Sequence, residues 1–117
     1  MKKYSILPDD FRIRIAATKT PRELAELIFR QLATQAEIRE INFVCDEHDD
    51  KPGISCFVET GTSQESVSIA RLFGGAEFGG NGTFFELEQP KDFHCHPYNH
   101  PGDDTLPARV SFVCLMR

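Results

Sequence analysis

Two alternating segments, residues 38–45 and 54–58, constrain the fold more than any other feature of the chain. Apolar residues recur at every second position over 41–45 and over 54–58, which is typical of strands with one buried face. If they pair as an antiparallel hairpin with Cys45 opposite Ile54, their apolar residues share one face. Because a shift of one residue would expose half of that set, the hydrophobic pattern itself predicts the register.

Two helices are predicted from capping signals in the sequence. A Thr-Pro-Arg-Glu run begins at Thr20 and a Thr-Ser-Gln-Glu run begins at Thr62. In such runs the Thr hydroxyl oxygen accepts a hydrogen bond from a free backbone N–H of the first turn. The Glu carboxylate accepts a hydrogen bond from the backbone N–H at the start of the helix. Apolar residues at helical spacing follow both runs, and the glycine pair after Phe73 predicts the end of the second helix.

Alternation also predicts strands over residues 11–17, 83–88 and 108–116. The proline-rich stretch 89–107 shows no periodicity and is predicted to be a long loop. The resulting order predicts an α+β fold, a ferredoxin-like βαββαβ two-layer sandwich with one additional C-terminal strand. Its sheet would be mainly antiparallel, with two helices on one face.

Length and composition fit a single α+β domain over residues 1–117. A chain of this length with 40% hydrophobic residues can bury one core. The net charge of −5 disfavours a nucleic-acid partner, since binding to phosphates requires a basic surface. There is no apolar run of membrane-spanning length, so no membrane partner is expected. The cysteines form no CxxC pair, and the protein is expected to be cytoplasmic with reduced thiols.

The loop 93–104 concentrates side chains that can bind a transition metal such as zinc. Its candidate ligands are His94, His96, His100 and Asp103. The spacing matches no structural zinc motif, so the favoured interpretation is a proline-stiffened loop without a cofactor. The alternative is a metal- or ligand-binding protein, with or without enzymatic activity, that uses this loop.

Catalytic motifs are otherwise sparse. The serines near residue 65 lie on a predicted helix and lack the strand-to-helix turn of a nucleophile elbow. Cys95 lies beside two histidines, but neighbours in sequence seldom have the mutual geometry of a nucleophile and its base. The leading hypothesis is therefore a small non-enzymatic module, a regulator or inhibitor that acts by binding another protein.

Aromatic residues near turns or at outward positions are the predicted interaction site, because such side chains anchor protein interfaces. They are Phe78, Phe84, Phe93 and Tyr98. Phe78 lies in a glycine-rich stretch, where glycine permits positive φ and close backbone approach.

The sequence also leaves open a homodimer and a nucleic-acid-binding function. The outward residues Val113 and Leu115 are apolar, which predicts a homodimer through the C-terminal strand. A nucleic-acid module is the third functional hypothesis, since open sheets can present aromatic side chains to bases. It would require Phe84 on an open face beside a cation. The candidates are Arg12, Arg14 and Arg109.

Overall fold

The computed structural model describes residues 7–46, 53–94, 98–100 and 106–115. These residues form three helices and a six-stranded mixed sheet, which confirms the α+β class. The helices are α1 (Asp9–Ala16), α2 (Pro21–Ala33) and α3 (Ser63–Phe73). The strands are β1 (Ile38–Asp46), β2 (Gly53–Thr60), β3 (Ala76–Glu77), β4 (Gly82–Glu88), β5 (Tyr98–His100) and β6 (Arg109–Leu115).

The hairpin of β1 and β2 lies at the centre of the sheet, whose strand order is β3-β4-β2-β1-β6-β5. Cys45 lies opposite Ile54 and Phe43 lies opposite Cys56, which confirms the predicted register. β4 pairs with β2 in the antiparallel direction, whereas β6 runs parallel to β1. The other pairs are antiparallel, so the sheet is mainly antiparallel as expected.

The strand predicted over residues 11–17 is wrong, because this segment forms α1. Phe11 and Ile15 are buried, but Ile13 between them is 67% exposed. The apolar residues at 11, 13 and 15 satisfy a period of two, yet the first and third also lie about one helical turn apart. The burial pattern shows that the helical period applies here.

Without an N-terminal strand, the ferredoxin-like order is not confirmed. The chain begins with two helices, and the strand order differs from the pattern predicted for βαββαβ. Pro8 at the N-cap and the acidic pair Asp9 and Asp10 in the first turn are the local features that favour a helix start.

One face of the sheet carries the hydrophobic core, and all three helices pack against it. The inward residues of the strands are Ile41, Phe43, Cys45, Ile54, Cys56, Val58, Phe85, Leu87, Val110 and Phe112. We call this side the covered face. Across residues 7–46, 53–94, 98–100 and 106–115, no helix packs on the opposite side, which we call the open face. None of the described helices is long and apolar enough to cross a membrane.

The C-terminal strand does not form an edge of the sheet. β5 arises within the stretch predicted to be a loop and pairs with β6, with Tyr98 opposite Phe112. β6 therefore lies between β1 and β5, and a second subunit is not needed to protect its edge. The outward face of β6 leaves Val113 47% exposed, so a homodimer through that face stays a prediction.

Candidate functional site

An aromatic cluster of Phe57, Phe78 and Phe84 stands on the open face. Phe57 of β2 lies directly opposite Phe84 of β4, with the ring centroids 5.0 Å apart. Phe78, from the turn between β3 and β4, packs against Phe57 at a centroid distance of 5.1 Å. Phe78 is 64% exposed, whereas the other two rings are half-buried. The cluster therefore presents one exposed ring that is supported by two others.

The turn that carries Phe78 has a defined backbone. The Phe78 N–H donates to the Gly82 carbonyl and the Gly82 N–H donates to the Gly79 carbonyl, both at 3.0 Å. Gly79 and Gly80 have φ of 98° and 55°, which side chains with a Cβ rarely adopt. These glycines allow the chain to reverse direction between β3 and β4, so that Phe78 lies on the open face.

Asn81 ties this turn to the end of β2. Its side-chain Nδ2 donates to the Thr60 carbonyl at 2.6 Å, and the Thr60 N–H donates to the Asn81 carbonyl at 2.9 Å. Thr60 is fully buried, so the attachment point belongs to the rigid part of the fold. Asn81 is therefore a positioning residue that holds Phe78 over Phe57.

Glutamates surround the aromatic cluster. Glu59 lies two residues after Phe57 on the same side of β2 and is the cross-strand partner of Glu40 on β1. Glu86 and Glu88 continue the outward side of β4 beyond Phe84. Arg109, the partner of Glu40 on β6, is a cationic residue of the outward set, and the exposed Arg39 precedes Glu40 on β1 and pairs with Glu37. The open face is therefore acidic as well as aromatic.

The middle of the open face is polar and internally bonded. The Ser111 hydroxyl donates to Asn42 Oδ1 at 2.6 Å, and Asn42 Nδ2 donates to Glu40 Oε2 at 3.2 Å. In the next row, Val44 lies opposite Val113. Polar and apolar patches thus lie beside the cluster, as at the margin of an interface.

Two of the four predicted interaction residues come together and two do not. Phe78 and Phe84 share the cluster, but Phe93 is only 8% exposed and packs against Phe112 at 5.8 Å. Phe93 is therefore a core residue, and its proposed place in the interface is corrected. Tyr98 lies in β5, at the edge of the sheet opposite β3.

Phe57 is the member of the cluster that the sequence reasoning missed. It stands between Cys56 and Val58, and the alternation of β2 directs it away from the core. A large aromatic residue at an outward strand position was the signal that could have identified it.

The proposed metal ligands are only partly described. His94 is exposed, and its backbone N–H donates to the Lys19 carbonyl at 2.7 Å. His100 lies in β5 opposite Val110, whereas His96 and Asp103 lie outside the described residues. The metal hypothesis stays a prediction. Native mass spectrometry of the untagged protein would support it by a chelator-sensitive excess of one metal ion per chain, and a metal-free spectrum would oppose it.

The described thiols are structural. Cys45 and Cys56 are buried in the core as predicted, and Cys114 is half-buried and packs against it. Burial raises the pKa of the Cys56 thiol, which therefore stays protonated. A protonated, buried thiol is a poor nucleophile, so Cys56 offers no catalytic function.

A groove of about 670 Å³ lies between α1 and the end of β4. Its charged lining includes Arg12, Glu86, Glu88 and Lys91. Arg12 already pairs with Asp9. Since the groove is lined by charges of both signs, it shows no preference for one class of ligand.

The cations required by the nucleic-acid hypothesis are not beside Phe84. Arg12 and Arg14 lie on α1, which packs on the covered face through Phe11. Arg109 is on β6, separated from β4 by two strands. Within the part of the chain that the structure describes, the strand neighbours of Phe84 are Phe57 and Ala76 and none of these three arginines, which disfavours a phosphate ligand.

Comparison of the chain with models of known protein families, with curated proteins and with solved structures finds no match.

Proposed function

We propose that this protein is a non-enzymatic interaction module, a regulator or inhibitor that binds another protein through the open face of its sheet. The observation that carries the proposal is the aromatic cluster, in which Phe78 is 64% exposed and rests on Phe57 and Phe84. Exposed aromatic side chains that are held in place are typical centres of protein interfaces.

Preorganisation of the cluster supports the proposal. A side chain that is ordered before binding loses less conformational entropy when a partner covers it. Phe78 is held by the hydrogen bonds of its turn and by the contact of Asn81 with Thr60. Burial of its ring against a partner would therefore contribute most of its apolar transfer free energy to binding.

The surroundings of the cluster also support a protein partner. Interfaces commonly combine an apolar, aromatic centre with a polar rim. Here the rim consists of outward glutamates, and Asn42 and Ser111 supply neutral hydrogen-bonding groups. We place this activity in the cytoplasm. Cys56 lies buried in the core as a small apolar residue, which is compatible with reduced thiols in that compartment.

A matched pair of variants tests the proposal. Phe78→Ala removes the exposed ring of the cluster, whereas Ile13→Ala removes an equally exposed apolar side chain from α1, outside the cluster. Affinity capture from a cell lysate, followed by calorimetry with the captured protein, compares both with the wild type. We expect Phe78→Ala to weaken binding by about 2 kcal/mol, roughly 30-fold in Kd, and Ile13→Ala to leave it unchanged.

Circular dichroism melting controls for folding of each variant. A partner that binds Phe78→Ala and Phe84→Ala as tightly as the wild type would contradict the proposal. Single-stranded oligonucleotides serve as the competing ligand class. Salt-sensitive oligonucleotide binding that requires Phe78 would replace a protein partner with a nucleic acid.

A further inference from the structure

A pair of directly opposed carboxylates stands beside the aromatic cluster, with Arg109 of β6 next to Glu40 on its other side. Glu59 and Glu40 are direct cross-strand neighbours, and like charges in this position destabilise a sheet. Glu40 accepts a hydrogen bond from Asn42, but none of the ion pairs within the described residues includes Glu59 or Arg109. The open face thus keeps an unfavourable pair of negative charges.

The ring of Phe78 lies on the Glu59 side of this carboxylate pair, as the position of Gly82 shows. Gly82 is the residue of β4 directly opposite Glu59. A Cβ placed on Gly82 would lie 3.6 Å from Cδ2 of Phe78. Since directly opposed residues have Cβ positions about 4.5–5.5 Å apart, the Phe78 ring fills the space beside Glu59 that a side chain on Gly82 would otherwise take.

An arginine side chain matches both groups. Its planar guanidinium can bond a carboxylate through two parallel N–H groups and can stack on an aromatic ring at the same time. A lysine ammonium can pair with the carboxylate, but it offers a compact charge without a planar face. Glu86 and Glu88 extend the negative charge along β4, which favours further basic residues around that arginine.

We infer that the partner of the open face inserts an arginine between the Phe78 ring and the Glu59–Glu40 pair, from a segment that is basic overall. This inference rests on the proposed function, because it names the chemistry of the partner at the same surface. The arginine would neutralise the opposed carboxylates and bury the exposed ring in one contact.

Selection from a displayed library of random 12-residue peptides tests the inference on the whole chain. We expect the peptides that bind the wild type but not Phe78→Ala to be enriched in arginine over lysine. In a selected peptide, replacement of the central arginine with citrulline keeps the shape and removes the charge. We expect this replacement to weaken binding to the wild type about tenfold, as measured by fluorescence anisotropy.

A double-mutant cycle assigns the contact to the carboxylates. In Glu59→Gln the citrulline replacement should cost much less than in the wild type, because the charge pair is already lost. Glu88→Gln is the matched control. It neutralises a glutamate on the same face whose cross-strand partner is Gly53, at the opposite end of β4 from the Phe78 turn, and the full citrulline effect should remain.

The outcomes separate the two proposals. Peptides that require Phe78 but show no arginine preference, or that accept lysine or citrulline equally well, would overturn the arginine inference and leave the proposed function in place. A selection without any Phe78-dependent peptide would contradict the proposed function and the inference together.

Discussion

The two faces of this sheet are built from the same strands, yet they follow different rules. On the covered face the buried strand residues are nearly inaccessible, and among those described all but Thr60 and Thr83 are apolar. On the open face an exposed phenylalanine lies beside two opposed glutamates. Burial explains the first pattern by its contribution to stability, but the second pattern does not favour folding. Features that stability does not explain are the ones to assign to binding.

Polar residues show the same difference between the faces. Below the sheet, Ser66 of α3 and Thr83 of β4 are buried, and their hydroxyls lie 2.5 Å apart. Each hydroxyl also reaches a backbone carbonyl, so the pair is satisfied within the fold. Glu59, in contrast, shows no described ionic partner on the open face. Glu59 is exposed, so water can solvate its carboxylate and the side chain stays accessible, as the proposed partner contact requires.

Two adjacent phenylalanines on β4 give the largest expected difference in stability between the two faces. Phe85→Ala should destabilise the protein by about 3–5 kcal/mol, because it opens a cavity in the covered face. Phe84→Ala removes a half-buried ring from the open face and should cost only about 1 kcal/mol, the scale of a cross-strand pair. Urea denaturation followed by circular dichroism measures both values.

Equal losses for the two variants would show that the open face is as important for folding as the core. In that case the aromatic cluster would need no partner to explain it. The unchanged slope of the denaturation curve serves as the control for two-state unfolding in each variant.

A smaller change, a gain in stability, is expected when the charge repulsion on the open face is removed. Glu59→Gln should stabilise the protein by roughly 0.2–1 kcal/mol, because it removes the repulsion from Glu40. Glu88→Gln, whose cross-strand partner is Gly53, should leave the free energy of unfolding unchanged. Thermal melting at low and high salt measures the difference, and the gain should shrink as salt screens the exposed charges. A destabilised Glu59→Gln would mean that the carboxylate serves the fold.

The sequence predicts the structure best where a short local pattern fits only one arrangement. The hairpin register, the Thr20 and Thr62 caps and the end of α3 at Gly74 all follow from short patterns, and the structure confirms them. The strand prediction for residues 11–17 is wrong because a period of two and a helical period both fit such a short segment. β5 has three residues and no alternation to detect, and the parallel pairing of β6 with β1 depends on contacts far apart in sequence.

Only part of the candidate site could be predicted from the sequence. Phe78 and Phe84 could be identified from turns and alternation, but their meeting with Phe57 depends on how β4 pairs with β2. The sequence predicts Phe93 at the surface because its neighbours in sequence indicate a loop. Its burial comes from Phe112, a residue that no local pattern connects to it.

The parallel partner of β1 has a consequence for the order in which the domain assembles. Asn42 and Ser111, which hydrogen-bond across β1 and β6, are 69 positions apart, whereas the hairpin closes over the few residues between Asp46 and Gly53. Closing the longer loop costs roughly 2 kcal/mol more in chain entropy. The hairpin can therefore form early, while the second edge of β1 waits for a strand that is synthesised much later. Until then the nascent chain carries an unpaired strand edge, the kind of surface that chaperones protect during translation.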